Sequence, residues 1–139
     1  MIKLIRNITA VLAGIILGSV VNMAIITFGP SLIPPPAGVD VTTAEGLAAG
    51  IALFEPRHFI TPFLAHALGT LVGAFVAYLV AASHKARFAY AIGVLFLAGG
   101  IGACFMIPAP AWFMALDLLV AYLPMAWLAV RIGRRHKKD

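Results

Sequence analysis

The chain predicts an all-α protein: an integral membrane, antiparallel bundle of four transmembrane helices, with one outer loop carrying a short surface helix. Three observations lead there. Of 139 residues, 63% are hydrophobic and only 11% charged, whereas soluble domains are about half apolar and about a quarter charged. Apolar stretches at 8–28, 62–82, 88–106 and 111–130 each approach the roughly 20 residues that cross the hydrocarbon layer. Lys and Arg fall between and beyond these stretches in a one-sided pattern, as topology requires.

The first span follows Lys3 and Arg6. Its apolar run is longer than a signal-peptide core and has no small-x-small cleavage site before Gly29, so it reads as an uncleaved anchor. Gly29-Pro30 is expected to stop it, with glycine in a left-handed cap and proline unable to continue the helix. Thr61-Pro62 is expected to start the second span, with a threonine N-cap and a ring already at helical φ. The short turn Ser83-His84-Lys85-Ala86-Arg87 then leads to the third span, and Ile107-Pro108-Ala109-Pro110 to the fourth. Phe28, Phe59, Phe63 and Trp112 sit at one boundary, with Tyr78, Tyr90 and Trp127 toward the other. The Trp and Tyr among them fit interfacial belts.

Positive loops resist translocation. Lys3, Arg6, Lys85, Arg87, Arg131, Arg134, Arg135, Lys137 and Lys138 all lie on one side of this arrangement, and Arg57 alone on the other. The expected orientation therefore puts both termini in the cytoplasm and residues 29–61 outside. The net charge of +5 reads as topology anchors contacting anionic lipid rather than as a nucleic-acid surface. One cysteine, Cys104, can neither close a disulfide within the chain nor build a thiolate metal cage.

The outer loop begins with a stiff Pro-rich piece. Thr42 and Glu45 fit a capping box, after which Leu47, Ile51 and Phe54 share one helical face. Gly46 and Gly50 weaken that helix, so an irregular loop is the alternative. No repeat or second domain is visible, and residues 1–139 are read as one unit.

Lipid gives helices no hydrophobic reward for associating, so small residues must let backbones approach. Gly14, Gly18 and Asn22 recur every four residues in the first span, and His66, Gly69 and Gly73 share a face of the second. Gly99, Gly100 and Gly102, within a glycine-rich run of the third span, read as a packing face rather than a phosphate cradle. At about 1.5 Å per residue, Asn22, His66 and Asp117 lie roughly 9, 6 and 9 Å below their outer helix ends. Three spans thus bring a polar group to one layer. A charged Asp near mid-span costs about 2.5–3.5 kcal/mol on insertion scales, so Asp117 should turn inward to a donor. His66 is the best-placed donor, and Asn22 can bridge or orient the pair. Pro124, on the Asp117 side, frees the Val120 carbonyl. Two readings stand: a structural network that fixes helix register, or a proton- or ion-responsive site open to the outside.

Other chemistry is weaker. Glu55, His58 and His66 match no zinc spacing, and Glu55 with Arg57 reads as an interfacial pair at the outer mouth, beside His58. Ser31 lacks a nucleophile elbow, so a serine hydrolase with His66 and Asp117 has no local support. No cofactor or metal is implied.

The stretches GPSLIPPPAGVD, HFITPFLAHALGTLVGA, SHKARFA and FMIPAPAWFMALDLLVAYLPMAW together make the chain similar to an uncharacterised family of small four-helix bacterial integral membrane proteins, over nearly its whole length. That resemblance implies fold and a bacterial inner-membrane location, and it carries no activity or catalytic residue. Better-known four-helix families fit poorly: thiol oxidoreductases and mercury carriers need cysteine pairs, and small multidrug exporters need a glutamate in the first span. The expectation is a non-enzymatic accessory or structural subunit, in a homo-oligomer or with a larger membrane partner. The alternative is a small proton- or cation-coupled transporter or channel built on Asn22, His66 and Asp117.

Overall fold

The computed structural model describes residues 1–136; Lys137 and Lys138, expected among the basic anchors, lie outside the described residues. Among these the structure is all-helical, and four helical stretches are long and apolar enough to cross a membrane. They are built from α1 (Ile2–Phe28), α3 (Ile60–Val80), α4 (Lys85–Met106) and a broken fourth span made of α5 (Ala111–Val120) and α6 (Leu123–Arg135). A short helix, α2 (Ala44–Gly50), lies in the long connection between α1 and α3. The spans alternate in direction. One end of the bundle, the loop end, carries α2 and the 107–110 turn; the other, the terminal end, carries the N-terminus, the end of α6 and the 81–84 turn.

The α1–α3 interface is made by glycines meeting backbone to backbone. A Cβ built at Gly14 would fall 2.7 Å from the Gly73 carbonyl oxygen, and one at Gly73 would fall 2.6 Å from that of Gly14. Gly18 and Gly69 repeat the exchange at 2.7 and 2.9 Å. No side chain fits there. The helices approach closely because four small residues sit at four-residue spacing on facing stripes. The terminal half of the bundle is then filled by Ala74, Ala77, Tyr78, Ala89, Ile92, Ala126, Ala129 and Val130, all 7% exposed or less.

The turn after α3 is tied to α1 by Asn7. Its Oδ1 accepts from the backbone N–H of Ala82 (2.9 Å) and Ser83 (3.3 Å), while its Nδ2 donates to Ser83 Oγ (3.0 Å). Arg6 Nε donates to the Val80 carbonyl (2.8 Å) and Lys85 Nζ to that of Leu79 (3.0 Å). These are orphan carbonyls of the last turn of α3, and cations suit that end of a helix. Arg6 and Lys85 therefore cap a helix, a task that the charge pattern does not reveal. His84 takes the left-handed conformation (φ 45°) that lets the chain reverse.

Four local expectations are corrected. Gly29 does not adopt a left-handed cap; its φ is −56° and the chain continues into a 3-10 turn. Gly29 is needed because a Cβ there would strike the Thr61 side chain. Thr61 is not an N-cap, since a 3-10 turn over Pro56–Phe59 runs directly into α3 from Ile60. Pro56, at the head of that turn, is the starting proline, and Pro62 sits in the first turn of α3, where its missing N–H costs nothing. The cap of α2 is Thr43 rather than Thr42: Thr43 Oγ1 accepts from Gly46 N–H at 3.0 Å, while Thr42 donates its N–H (2.8 Å) and hydroxyl (2.6 Å) to Asp40. These bonds favour the carboxylate, holding the Asp40 carboxyl below its ordinary value. Finally, the fourth span is interrupted at Ala121–Tyr122, where Tyr122 has φ −117° and ψ −81° just ahead of Pro124.

The loop-end cluster follows the expected face. Leu47 and Phe54 pack against buried Ile51, Phe59 and Phe113, so α2 and the 3-10 turn after it form a lid. Gly46 and Gly50 weaken α2 for a reason: a Cβ at either would run into Asp40 or Val39 of the preceding chain.

Candidate functional site

His66 and Asp117 meet. His66, one turn and a half into α3, faces Asp117 of α5 with Nδ1 2.9 Å from each carboxylate oxygen. The Asp117 side chain is 6% exposed and that of His66 26%. A carboxylate placed among apolar helices needs donors on its lone pairs, and a second one comes from Tyr122, whose hydroxyl donates to Asp117 Oδ2 at 3.0 Å. The His66 and Tyr122 rings also stack, with centroids 5.8 Å apart. The result is a carboxylate gripped from two sides by two residues whose rings stack on each other.

Tyr122 is the member that sequence reasoning missed. In an unbroken helix, a residue five places after Asp117 points well away from it, because side chains three and four apart are the ones that share a face. The break at Ala121–Tyr122 turns it back. Backbone bonds from Ala121 N–H to the Asp117 carbonyl (2.9 Å) and from Ala126 N–H to that of Tyr122 (2.9 Å) bracket the interruption. Two sequence signals point to it in retrospect. Pro124 cannot donate to Val120, and Gly100 on α4 is required because a Cβ there would fall on the Tyr122 hydroxyl.

Asn22 lies in the same layer without bridging the pair. It packs by its Cβ over Gly69, at 3.0 Å from where a Cβ on that glycine would be, and lines a recess of about 330 Å³ with Ser19, His66, Gly99, Gly100 and Tyr122. This recess lies between α1 and α4. A second cavity of about 170 Å³ lies toward the loop end, roofed by Leu47, Ile51 and Phe54 and walled by α3, α4 and α5; His66, Gly100 and Ala103 line both. His66 thus stands at the junction of a roofed apolar chamber and a recess between two helices.

Of the three α4 glycines, Gly100 packs as expected, whereas a Cβ at Gly99 or Gly102 would meet nothing within 4 Å. Neither is required by close packing against the described residues, a correction to their expected role. Glu55 and Arg57 pair at 2.9 Å with both side chains exposed. His58, beside them in sequence, is buried, and its Nδ1 accepts from Glu55 N–H at 2.8 Å. Glu55, Arg57 and His58 therefore organise the start of the 3-10 turn and are separate from the His66 cluster. Below the cluster on α3, Thr70 is fully buried and its hydroxyl has no partner among the described residues.

Comparison with protein-family models, with curated proteins and with solved structures gives no match. What this chain does must be read from the cluster of His66, Asp117 and Tyr122 and from what surrounds it.

Proposed function

We propose that the protein is a non-enzymatic, multi-pass accessory or structural subunit of the bacterial cytoplasmic membrane, working in a homo-oligomer or beside a larger membrane partner. Both termini are cytoplasmic in this reading and the loop end faces outward, which is supported by the one-sided placement of Lys and Arg. The partners of its basic ends are anionic lipids; nucleic acid has no part.

One observation carries the reading: the two halves of the bundle differ. The interior of the terminal half is filled by alanine, glycine and Ile92, and a pocket of about 430 Å³ there is a groove on α4 and α6 lined by Tyr90, Trp127 and Arg131, while the cavities beside His66 lie toward the loop end. A carrier or channel needs a route past the polar group to the far side. That filled interior opposes such a route within one chain. What remains for function is surface, and α4 presents Gly102 with free space beside it and Phe105 at 88% exposure.

Photo-crosslinking in native membranes tests this. A benzophenone amino acid at position 102 or 105 should give discrete, mass-identifiable adducts with another copy or with a distinct membrane protein. Crosslinks to lipid alone, together with pH-driven ion flux by the purified chain in liposomes that is lost in Asp117→Asn, would replace the subunit reading with the transport one. His66 and Asp117, an ionisable pair inside a span, are the observation that keeps transport as the second reading.

A further inference from the structure

The recess between α1 and α4 has three properties that together define an occupant, and they go beyond the subunit reading. First, its position. It lies between two apolar spans, with exposed Met23 and Leu95 among its lining residues, so a molecule entering sideways comes from the hydrocarbon and carries an apolar tail. Second, its charge. Ser19, Asn22, His66 and Tyr122 provide its polar groups, and among the described residues neither Lys nor Arg lines it or the roofed chamber beyond. A phosphate head finds no counter-charge there, and burying an unpaired ion in such a site is costly.

Third, its hydrogen bonding. Asp117 holds Nδ1 of His66, which leaves Nε2 as the ring's remaining polar atom. Nε2 accepts when the imidazole is neutral and donates when it is protonated. Asn22 offers an amide that both donates and accepts. A hydroxyl, which can do either, satisfies both residues in every proton arrangement. At about 330 Å³ the recess has the size of a small-molecule head-group site, and Gly99 lines it with open space where a Cβ would stand.

We infer that this recess binds a lipid-soluble molecule with an apolar tail and a small, uncharged, hydroxylated head, the hydroxyl meeting Asn22 and His66 while the tail leaves between α1 and α4. Quinols, diacylglycerols and polyprenols share this head chemistry. Asp117 and Tyr122 act as positioning residues, holding the imidazole with its free edge available.

The test uses a long-chain alcohol bearing a diazirine and an alkyne, added to the full chain in nanodiscs, with a phosphatidic-acid analogue carrying the same groups as a comparison. The alcohol should label peptides from α1 and α4 around residues 19–23 and 95–103, at least fivefold more than the phosphatidic-acid analogue. Gly99→Leu fills the recess from a position with room for a side chain, so it should fold normally and lose labelling about tenfold. Asn22→Leu should lower labelling while the wall is intact. Competition by unlabelled quinol, diacylglycerol or polyprenol identifies the natural head. Equal labelling by the phosphate probe, labelling unchanged in folded Gly99→Leu, or failure of all three competitors would overturn the inference. None of these readouts depends on a protein partner, so the subunit reading and the ligand site stand or fall separately.

Discussion

At the scale of single residues, the polar cluster is governed by what a carboxylate requires away from water. Asp117 has its oxygens served by His66 and Tyr122, and that arrangement explains an otherwise expensive pair of ionisable groups inside spans. The pairing was legible from depth alone, since a fixed rise per residue places His66 and Asp117 in one layer and insertion cost turns them toward each other. Tyr122 was not legible, because its approach depends on the broken fourth span and periodicity assumes an unbroken one. Asn22 lies in the layer that its depth predicts, but the hydrogen bonds of the cluster run between His66, Asp117 and Tyr122 without it. Thr70 shows the reverse economy: its hydroxyl is buried and unbonded, and an unsatisfied buried donor costs about 1–3 kcal/mol. Thr70→Val, which keeps the shape, should therefore stabilise the protein by roughly 1 kcal/mol. Thermal unfolding in a mild detergent checks it, and a lower midpoint would show that the hydroxyl has a partner after all.

At the scale of elements, glycine spacing has different meanings on different helices. The stripes on α1 and α3 interlock backbone to backbone, whereas Gly99 and Gly102 on α4 face open space, although all lie in similarly apolar sequence. Spacing shows which residues share a face; only the neighbouring helix shows whether that face is filled. Gly73→Leu should drive α1 from α3 and cost about 1–3 kcal/mol or more, the range for overpacking a close contact. Gly102→Leu should leave the unfolding midpoint within the range of surface substitutions, about 0.5 kcal/mol. Equal effects of the two would contradict the assignment of faces.

The loop shows the same limit at its cap. A threonine cap was expected for α2, yet the register moves by one residue because Asp40 claims both groups of Thr42. Those bonds lower the Asp40 pKa from 3.8, and the sign follows. The carboxylate's contribution to loop order is complete above 3.8 and is lost as pH falls through the lower, folded-state value. The Thr42 amide proton resonance should titrate with a midpoint below 3.8, and that titration should vanish in Asp40→Asn. A midpoint at or above the ordinary value would mean that the Asp40–Thr42 turn does not form.

At the scale of the whole molecule, four spans and their order were legible because hydrocarbon thickness leaves little freedom in the length of a crossing helix. The placement of cavities beside His66 was not, since it depends on which side chains face one another across helices. In the terminal half, Ala74, Ala77, Ala126 and Ala129 let helices close around Ile92 and Tyr78. In the loop-end half, the break in the fourth span and the small residues Gly99, Gly100 and Ala103 of α4 leave space beside His66. The buried ionisable pair His66–Asp117 therefore lies beside those cavities, while the polar groups of the terminal end, Arg6, Asn7 and Lys85, serve the turn after α3.

The central claim is that α3 and α5 meet through His66 and Asp117 in the intact bilayer. It is tested most directly by disulfide-length crosslinking of His66→Cys with Asp117→Cys in a Cys104→Ala background, with Asn7→Cys and Ser83→Cys as the positive control, since those side chains lie 3.0 Å apart at the terminal end. The account predicts that short bifunctional thiol reagents bridge both pairs in native membranes. Bridging of the control pair with persistent failure at 66 and 117 would contradict it.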